Sequence, residues 1–310
     1  VGLVMGSALA VGPIISGIIL QWVSWRALFA LFLIVLLVLA IFLQKYIENT
    51  HILKPSRFDW FSAVTLLGFG GILYSISILP STTINWRWWS IIIISVLLLI
   101  IFITRQIKLR VPFLDLQVFK YAGYTPAMLL TGLSYSGLII ATVLLPLFYQ
   151  RIFNFSPLVS GLLMVPAAIF LSQLNPRAGQ MLNKIGLKKL VYIGMGMMIL
   201  GYLLLSTVGA KFWIAALIAA MLLEGGNAFI MMPAVTAANN ALPKDLVSHG
   251  TAIVTTMRQF IGATSVVVAS ILITAFDTRF NFTVALTLTS QCFIIVPIVG
   301  IILINRIKGK

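Results

Sequence analysis

Charge is scarce in this sequence, and negative charge scarcest of all: six Asp and Glu stand against 21 Lys and Arg in 310 residues. Charged residues make up 9% and apolar residues 61%, where soluble domains carry about 25% and about 45–50%. No water-soluble fold covers so much apolar surface, so lipid is the expected solvent for most of the chain. Cysteine is nearly absent as well. The single Cys292 lies in an apolar run, which excludes a disulfide framework and a cysteine zinc site within the chain. The two histidines, His51 and His249, have no second ligand nearby in sequence. No metal site, catalytic triad or cofactor is therefore expected. A net charge of +15 would suit nucleic acid, but the basic residues sit in short clusters between apolar runs. That is the pattern of membrane topology, not of a basic patch interleaved with aromatics.

What is present is a series of apolar runs, at about 1–22, 27–44, 60–79, 88–104, 123–149, 157–175, 189–207, 212–236, 250–275 and 282–304. Each is long enough to cross about 30 Å of hydrocarbon as a helix. They are too long and continuous for barrel strands, and backbone groups in lipid must be satisfied within the segment. The expected fold class is an all-α polytopic membrane protein of about ten transmembrane helices. The 123–149 run holds Pro126 and Pro146, so its ends are not fixed by pattern alone. Lys and Arg set the orientation. Fifteen lie in one set of alternate loops (Lys45, Lys54 and Arg57; Arg105, Lys108, Arg110 and Lys120; Arg177, Lys184, Lys188 and Lys189; Lys244; Arg306, Lys308 and Lys310). Five lie in the other set, at Arg26, Arg87, Arg151, Lys211 and Arg279. The richer set belongs in the cytoplasm, which places the C-terminus there too, in a cell membrane. The chain opens inside an apolar run, Val1-Gly2-Leu3-Val4-Met5. This does not read as a signal peptide, and the expectation is a start within a longer protein.

Two ionisable residues fall at membrane depth, where such groups are expensive and mark functional sites. Glu224 sits mid-run in Met221-Leu222-Leu223-Glu224-Gly225-Gly226-Asn227, and Arg258 in Thr255-Thr256-Met257-Arg258-Gln259. At 100° per residue, Ala220, Glu224, Asn227, Ala228 and Met231 share one helical face, and Thr251, Thr255, Arg258, Gly262 and Ser265 share another. Small and polar residues of this kind suit a helix interface or a wet cavity. Counted from the cytoplasmic ends, Glu224 and Arg258 differ in depth by roughly 6 Å, so a charge pair is an option. Glu224 is read as a carboxylate that exchanges a proton or meets a cationic substrate, with Arg258, Asn227 and Gln259 as coupling candidates; the plainer alternatives are a carboxyl bonded to its neighbours and a snorkelling arginine. Glu48, Asp59, Asp245 and Asp277 read as solvated loop or end charges, and Asp115 as structural. Phe148, Tyr149, Phe170 and Phe229 are read as packing or lipid-facing residues ahead of a drug-binding wall.

The first run carries Gly2, Gly6, Gly12-Pro13-Ile14-Ile15-Ser16-Gly17, followed by Ser24-Trp25-Arg26-Ala27-Leu28-Phe29. A glycine face of this kind allows close backbone approach, and the proline bends the helix. Together these resemble the antiporter motif of major facilitator exporters, Gly12, Pro13, Ser16 and Gly17 being its matched positions and Ala8 and Ser16 replacing two of its glycines. Further on, Pro112-Phe113-Leu114-Asp115-Leu116, Leu145-Pro146-Leu147-Phe148-Tyr149-Gln150 and Ser156-Pro157-Leu158-Val159-Ser160-Gly161-Leu162 follow the same family's order. Gly179, Asn183, Gly186 and Lys188 resemble its second cytoplasmic loop motif, with Asn183 where an aspartate is common; Ala241-Leu242-Pro243, His249-Gly250 and Arg258-Gln259 resemble the entry to its thirteenth helix. The resemblance is to the fourteen-helix drug:H⁺ antiporters of EmrB/QacA type. It implies the major facilitator fold and assigns this chain helices five to fourteen of the parent. Residues 1–45 would be the last two helices of the N-terminal half, 46–110 a central pair with its linkers, and 111–310 the six-helix C-terminal half. It implies proton-coupled export of drugs or other lipophilic small molecules, with protons and the bilayer as partners and no chemical reaction. It also implies that helices one to four are missing, so that the chain alone is an inactive fragment. Two alternatives stay open: an uncoupled exporter of an amphipathic metabolite on the same fold, and a membrane binding partner without flux.

Overall fold

The computed structural model describes residues 2–46, 59–78, 85–109 and 112–306, with the side chains of 2–10, 13, 46 and 306 left out. Glu48, His51, Lys54, Arg57, Arg110, Lys308 and Lys310 therefore lie outside the described residues, as do the side chains of Ala8, Pro13 and Arg306. The described chain is helical, with no strand: α1 (Gly2–Trp22), α2 (Trp25–Tyr46), α3 (Trp60–Ser77), α4 (Trp86–Lys108), α5 (Tyr124–Leu147), α6 (Pro157–Thr207), α7 (Trp213–Asn240), α8 (Val247–Asp277), α9 (Phe282–Cys292) and α10 (Ile295–Arg306). A 3-10 turn spans Leu116–Lys120 and a π-helical turn Phe148–Ile152.

Local sequence sets the ends. Asp59, Asn85, Ser156 and Asn281 each accept the backbone N–H three residues on, capping α3, α4, α6 and α9, and Pro157 supplies the preset φ of a first helical residue. Pro146 has no N–H to give, and the helix widens into the π turn directly after it. Pro297, which also has no N–H to give, has the opposite effect further on, where the helix tightens and breaks. The expected run 282–304 is split into α9 and α10, with Val296 N–H reaching back only three residues to Phe293 (3.1 Å).

Eight stretches among the described residues are long and apolar enough to cross a membrane: α2, α3, α4, α5 with its π turn, α6, α7, α8, and α9 with α10. The expected runs 157–175 and 189–207 both fall in the 51-residue α6, which bends at Gly186 (φ 76°, ψ 163°). That backbone conformation is open to glycine and strained for other residues. The expected run 1–22 is α1, whose side chains at 2–10 and 13 lie outside the described ones.

The core gathers α5, the second half of α6, α7 and the α9–α10 pair around Tyr149, Met195, Met198, Tyr202 and Leu223. α5 stands between α7 and α8, and α1 packs along α6. α6 and α7 cross at Gly194 and Gly226, where a Cβ on either would lie 2.6 or 2.5 Å from the other's carbonyl oxygen. Only a residue without a side chain allows that approach. α3 and α4 form a pair of their own, joined by Asp59–Arg105 (3.1 Å), Gln106 Nε2 to Ser62 Oγ (2.8 Å) and Trp88 Nε1 to the Ser75 carbonyl (2.9 Å). The pair touches α8 through Phe69 and Phe260, 4.2 Å between ring centroids. Hydrogen bonds from the Ser62 hydroxyl and N–H, with the Arg105 guanidinium adding to them, hold the Asp59 carboxyl below the usual carboxylate range.

Candidate functional site

Glu224 lies on α7 in the midst of small residues, and the face anticipated for it is buried throughout: Ala220, Glu224, Asn227, Ala228 and Met231 are all at most 5% exposed. Beside it opens a cavity of about 630 Å³, within the range of pockets that hold drug-sized molecules. Gly12 and Ser16 of α1, Tyr135 and Thr142 of α5, Met164 and Asn175 of α6, and Glu224, Asn227 and Met231 of α7 are in its wall. The remaining wall is aliphatic, including Leu138, Ile139, Ala168 and Leu171. Glu224 is the one acidic residue of this lining. Its Oε2 is buried and has no hydrogen-bond partner among the described residues. Native structures rarely leave such an atom orphaned unless a function accounts for it.

Two turns of α7 form a polar ladder beneath that carboxyl. Asn227 Oδ1 accepts from Ser134 Oγ of α5 (2.6 Å), and its Nδ2 donates to Met231 Sδ (3.9 Å). From α8, Arg258 Nη1 donates to the same sulfur (3.9 Å), its guanidinium carbon sits 5.1 Å from the centroid of the Tyr135 ring, and its Nε is buried without an acceptor. The optional Glu224–Arg258 charge pair is not formed. The reason is depth: Arg258 reaches α7 at Met231, seven residues and roughly 10 Å along the helix from Glu224. Gln259 is exposed and outside the cavity lining, because one residue of helix turns it about 100° from Arg258.

The antiporter-like face of α1 meets the start of α6. A Cβ on Gly17 would lie 2.9 Å from Leu158 Cα and 3.0 Å from the Pro157 carbonyl, while Gly12 and Ser16 turn to the cavity. The loop-motif residues Gly179, Asn183, Gly186 and Lys188 surround the bend of α6, with Asn183 and Lys188 exposed. Asp115 caps the 3-10 turn by accepting from Gln117 N–H (2.9 Å), and its own N–H donates to His249 Nδ1 (3.3 Å). Phe148 and Tyr149 are fully buried in the core and, like Phe170 and Phe229, do not line the cavity. Sequence reading missed Ser134 and Tyr135. Their signal was the run Gly132-Leu133-Ser134-Tyr135-Ser136-Gly137, a small and polar patch in an otherwise apolar helix.

With this geometry in hand, comparison with known proteins is informative. The model for the Major Facilitator Superfamily matches residues 1–263 and, in a second overlapping match, 127–305. The chain is similar to the uncharacterized MFS-type transporter YcnB of Bacillus subtilis, 32% identical over 277 residues, covering 85% of this chain and 56% of that protein. It is 30% identical to the lincomycin resistance protein LmrB of Listeria monocytogenes, over 89% of this chain and 59% of the relative. It is 28% identical to the multidrug transporter protein MdtP of Bacillus subtilis, over 84% and 48%. The chain thus spans about half the length of the curated relatives it matches.

Proposed function

Because this chain belongs to the major facilitator superfamily, a family of multi-pass membrane transport proteins, we propose that it is the C-terminal part of a proton-coupled exporter of lipophilic small molecules. One observation carries the reading: a cavity walled mainly by aliphatic side chains and thioethers holds a single carboxyl group with an unpartnered oxygen, Glu224. Such a group can bind a proton or a cation but not both at once, which is the chemical requirement for exchanging one for the other. The apolar wall favours lipophilic guests, and the names of LmrB and MdtP as resistance and multidrug proteins support the same substrate class. Arg258 and Asn227 shape the surroundings of that carboxyl, whereas Gln259 has no part in it on this reading.

The finer architecture belongs to the same proposal. The parent is of the fourteen-helix EmrB/QacA type; α6 crosses the membrane twice about Gly186, α1 and α9–α10 each cross once, and ten crossings result. Residues 1–45, 46–110 and 111–310 are then the end of one half, a central pair and the second half. The Lys and Arg distribution puts the C-terminus in the cytoplasm of a cell membrane. Alternating access rocks two halves about a midplane site, and this chain covers little more than half of its relatives. On this reading the 310 residues do not transport alone, and a working exporter adds helices that precede α1.

The test is efflux of ethidium from cells making the complete transporter, with and without a protonophore. The expected result is export that the protonophore stops and that Glu224→Gln abolishes at unchanged protein level. Normal efflux by Glu224→Gln would refute the assignment of the carboxyl, and protonophore-insensitive efflux would favour the uncoupled exporter.

A further inference from the structure

α8 supplies none of the side chains that wall the cavity, yet it holds two that do. Arg258 and Gly262 lie one turn apart on α8 and address the same residue of α5. The Arg258 guanidinium lies 5.1 Å from the Tyr135 ring centroid, and a Cβ on Gly262 would meet Tyr135 Cδ1 and Cε1 at 2.8 Å. The same guanidinium donates to Met231 Sδ on α7. Tyr135 and Met231 both face the cavity. Among the described residues Arg258 has no carboxylate partner, so its charge is directed at an aromatic face and a thioether, contacts that fix those side chains in place without neutralising the charge.

We propose that Arg258 and Gly262 are specificity-determining positioning residues that clamp the Tyr135 ring against α8 and thereby set the width of the cavity. On the α8 side the ring fits only because Gly262 carries no side chain. Ordinary carbon contacts need about 3.5–4.0 Å, so a methyl group at 262 displaces the ring by up to roughly 1 Å. The open space Tyr135 borders is the cavity, and the ring moves into it. α8 therefore decides how bulky a guest the site admits. That the guest is an exported lipophilic molecule rests on the function proposed above; the clamp itself does not.

The experiment uses this independence. Thr142 also lines the cavity, and Cys292 is the chain's single cysteine. In the full chain carrying Cys292→Ser and Thr142→Cys, held in lipid, labelling rates are compared for N-ethylmaleimide and for bulky fluorescein maleimide. Gly262→Ala is expected to cause a selective loss of labelling by the bulky reagent, and adding Tyr135→Ala is expected to remove that selectivity. Should Gly262→Ala fail to fold, Arg258→Gln serves instead: its unpinned ring lowers the bulky-to-small ratio, and Arg258→Lys, which keeps a cation over the ring, restores it. Equal effects on both reagents, selectivity that persists without Tyr135, or an unchanged ratio in Arg258→Gln overturns the proposal. Failure of the export reading would appear in ethidium efflux, which this labelling does not use.

Discussion

α2 is more apolar than α7, yet the membrane-length stretch of α7 is 67% buried inside the protein and that of α2 is 0% buried. In water the more apolar helix would be the inner one. In lipid the tails are as apolar as leucine, so hydrophobicity gives no reason for one helix to leave them for another. What α7 has instead is small size: Ala215, Ala216, Ala219, Ala220, Gly225, Gly226 and Ala228 let its neighbours approach to backbone distance, and Glu224 and Asn227 then sit where lipid does not reach. α2 reads Trp-Arg-Ala-Leu-Phe-Ala-Leu-Phe-Leu-Ile-Val-Leu-Leu from its start, a surface of large side chains exposed along its length. Between these two helices, burial follows small residue size and not apolarity.

The largest effect should come from reversing size in α7. Gly226→Leu drives a side chain into the Gly194 carbonyl and the Met198 side chain, and overpacking of this kind costs roughly 1–3 kcal/mol or more. The expected outcome is loss of the monodisperse peak in detergent chromatography, whereas Leu36→Ala in α2 leaves it in place. Next comes the polar ladder. Ser134→Ala leaves Asn227 Oδ1 without its donor; interhelical hydrogen bonds in membranes are worth about 0.6 kcal/mol and at most about 1.7, so a small fall in thermal stability is expected, and no fall would show that the bond contributes nothing. The smallest effect belongs to the α3–α4 pair, held partly by charges at its edge. The Asp59 carboxyl is held below its usual value, so its contribution is complete at neutral pH. It is lost only as pH falls below about 3.8, the ordinary aspartate value. Asp59→Asn should therefore lower thermal stability slightly at pH 7, by an amount that shrinks as pH falls below about 3.8.

The same contrast explains how much was legible in the sequence. That the chain is built of apolar, membrane-length helices was readable from its continuous apolar runs, and the bend of α6 fell on Gly186, already singled out. The split between α9 and α10 was not read, because Pro297 acts through one missing N–H deep inside a run that is otherwise uniform. The face of Glu224 followed from helical periodicity, but its neighbours did not. Periodicity says which side a residue occupies and nothing about which helix stands opposite. Sequence order made α7 and α8 neighbours but did not give their register: Arg258 meets Tyr135 of α5 and, on α7, Met231 and not Glu224 two turns away. Gly17 could be read as a close-approach site, though its partner, the Pro157–Leu158 backbone, could not.

The account stands on Glu224 exchanging a proton for a cation, and proton release measures that directly. Tetraphenylphosphonium is added to the purified complete transporter in weakly buffered detergent solution, and the pH change is followed for the wild type and for Glu224→Gln. The account predicts that binding the cation expels a proton from the wild type and none from the variant. Equal release from both, or cation binding by the wild type with no proton released, would contradict it.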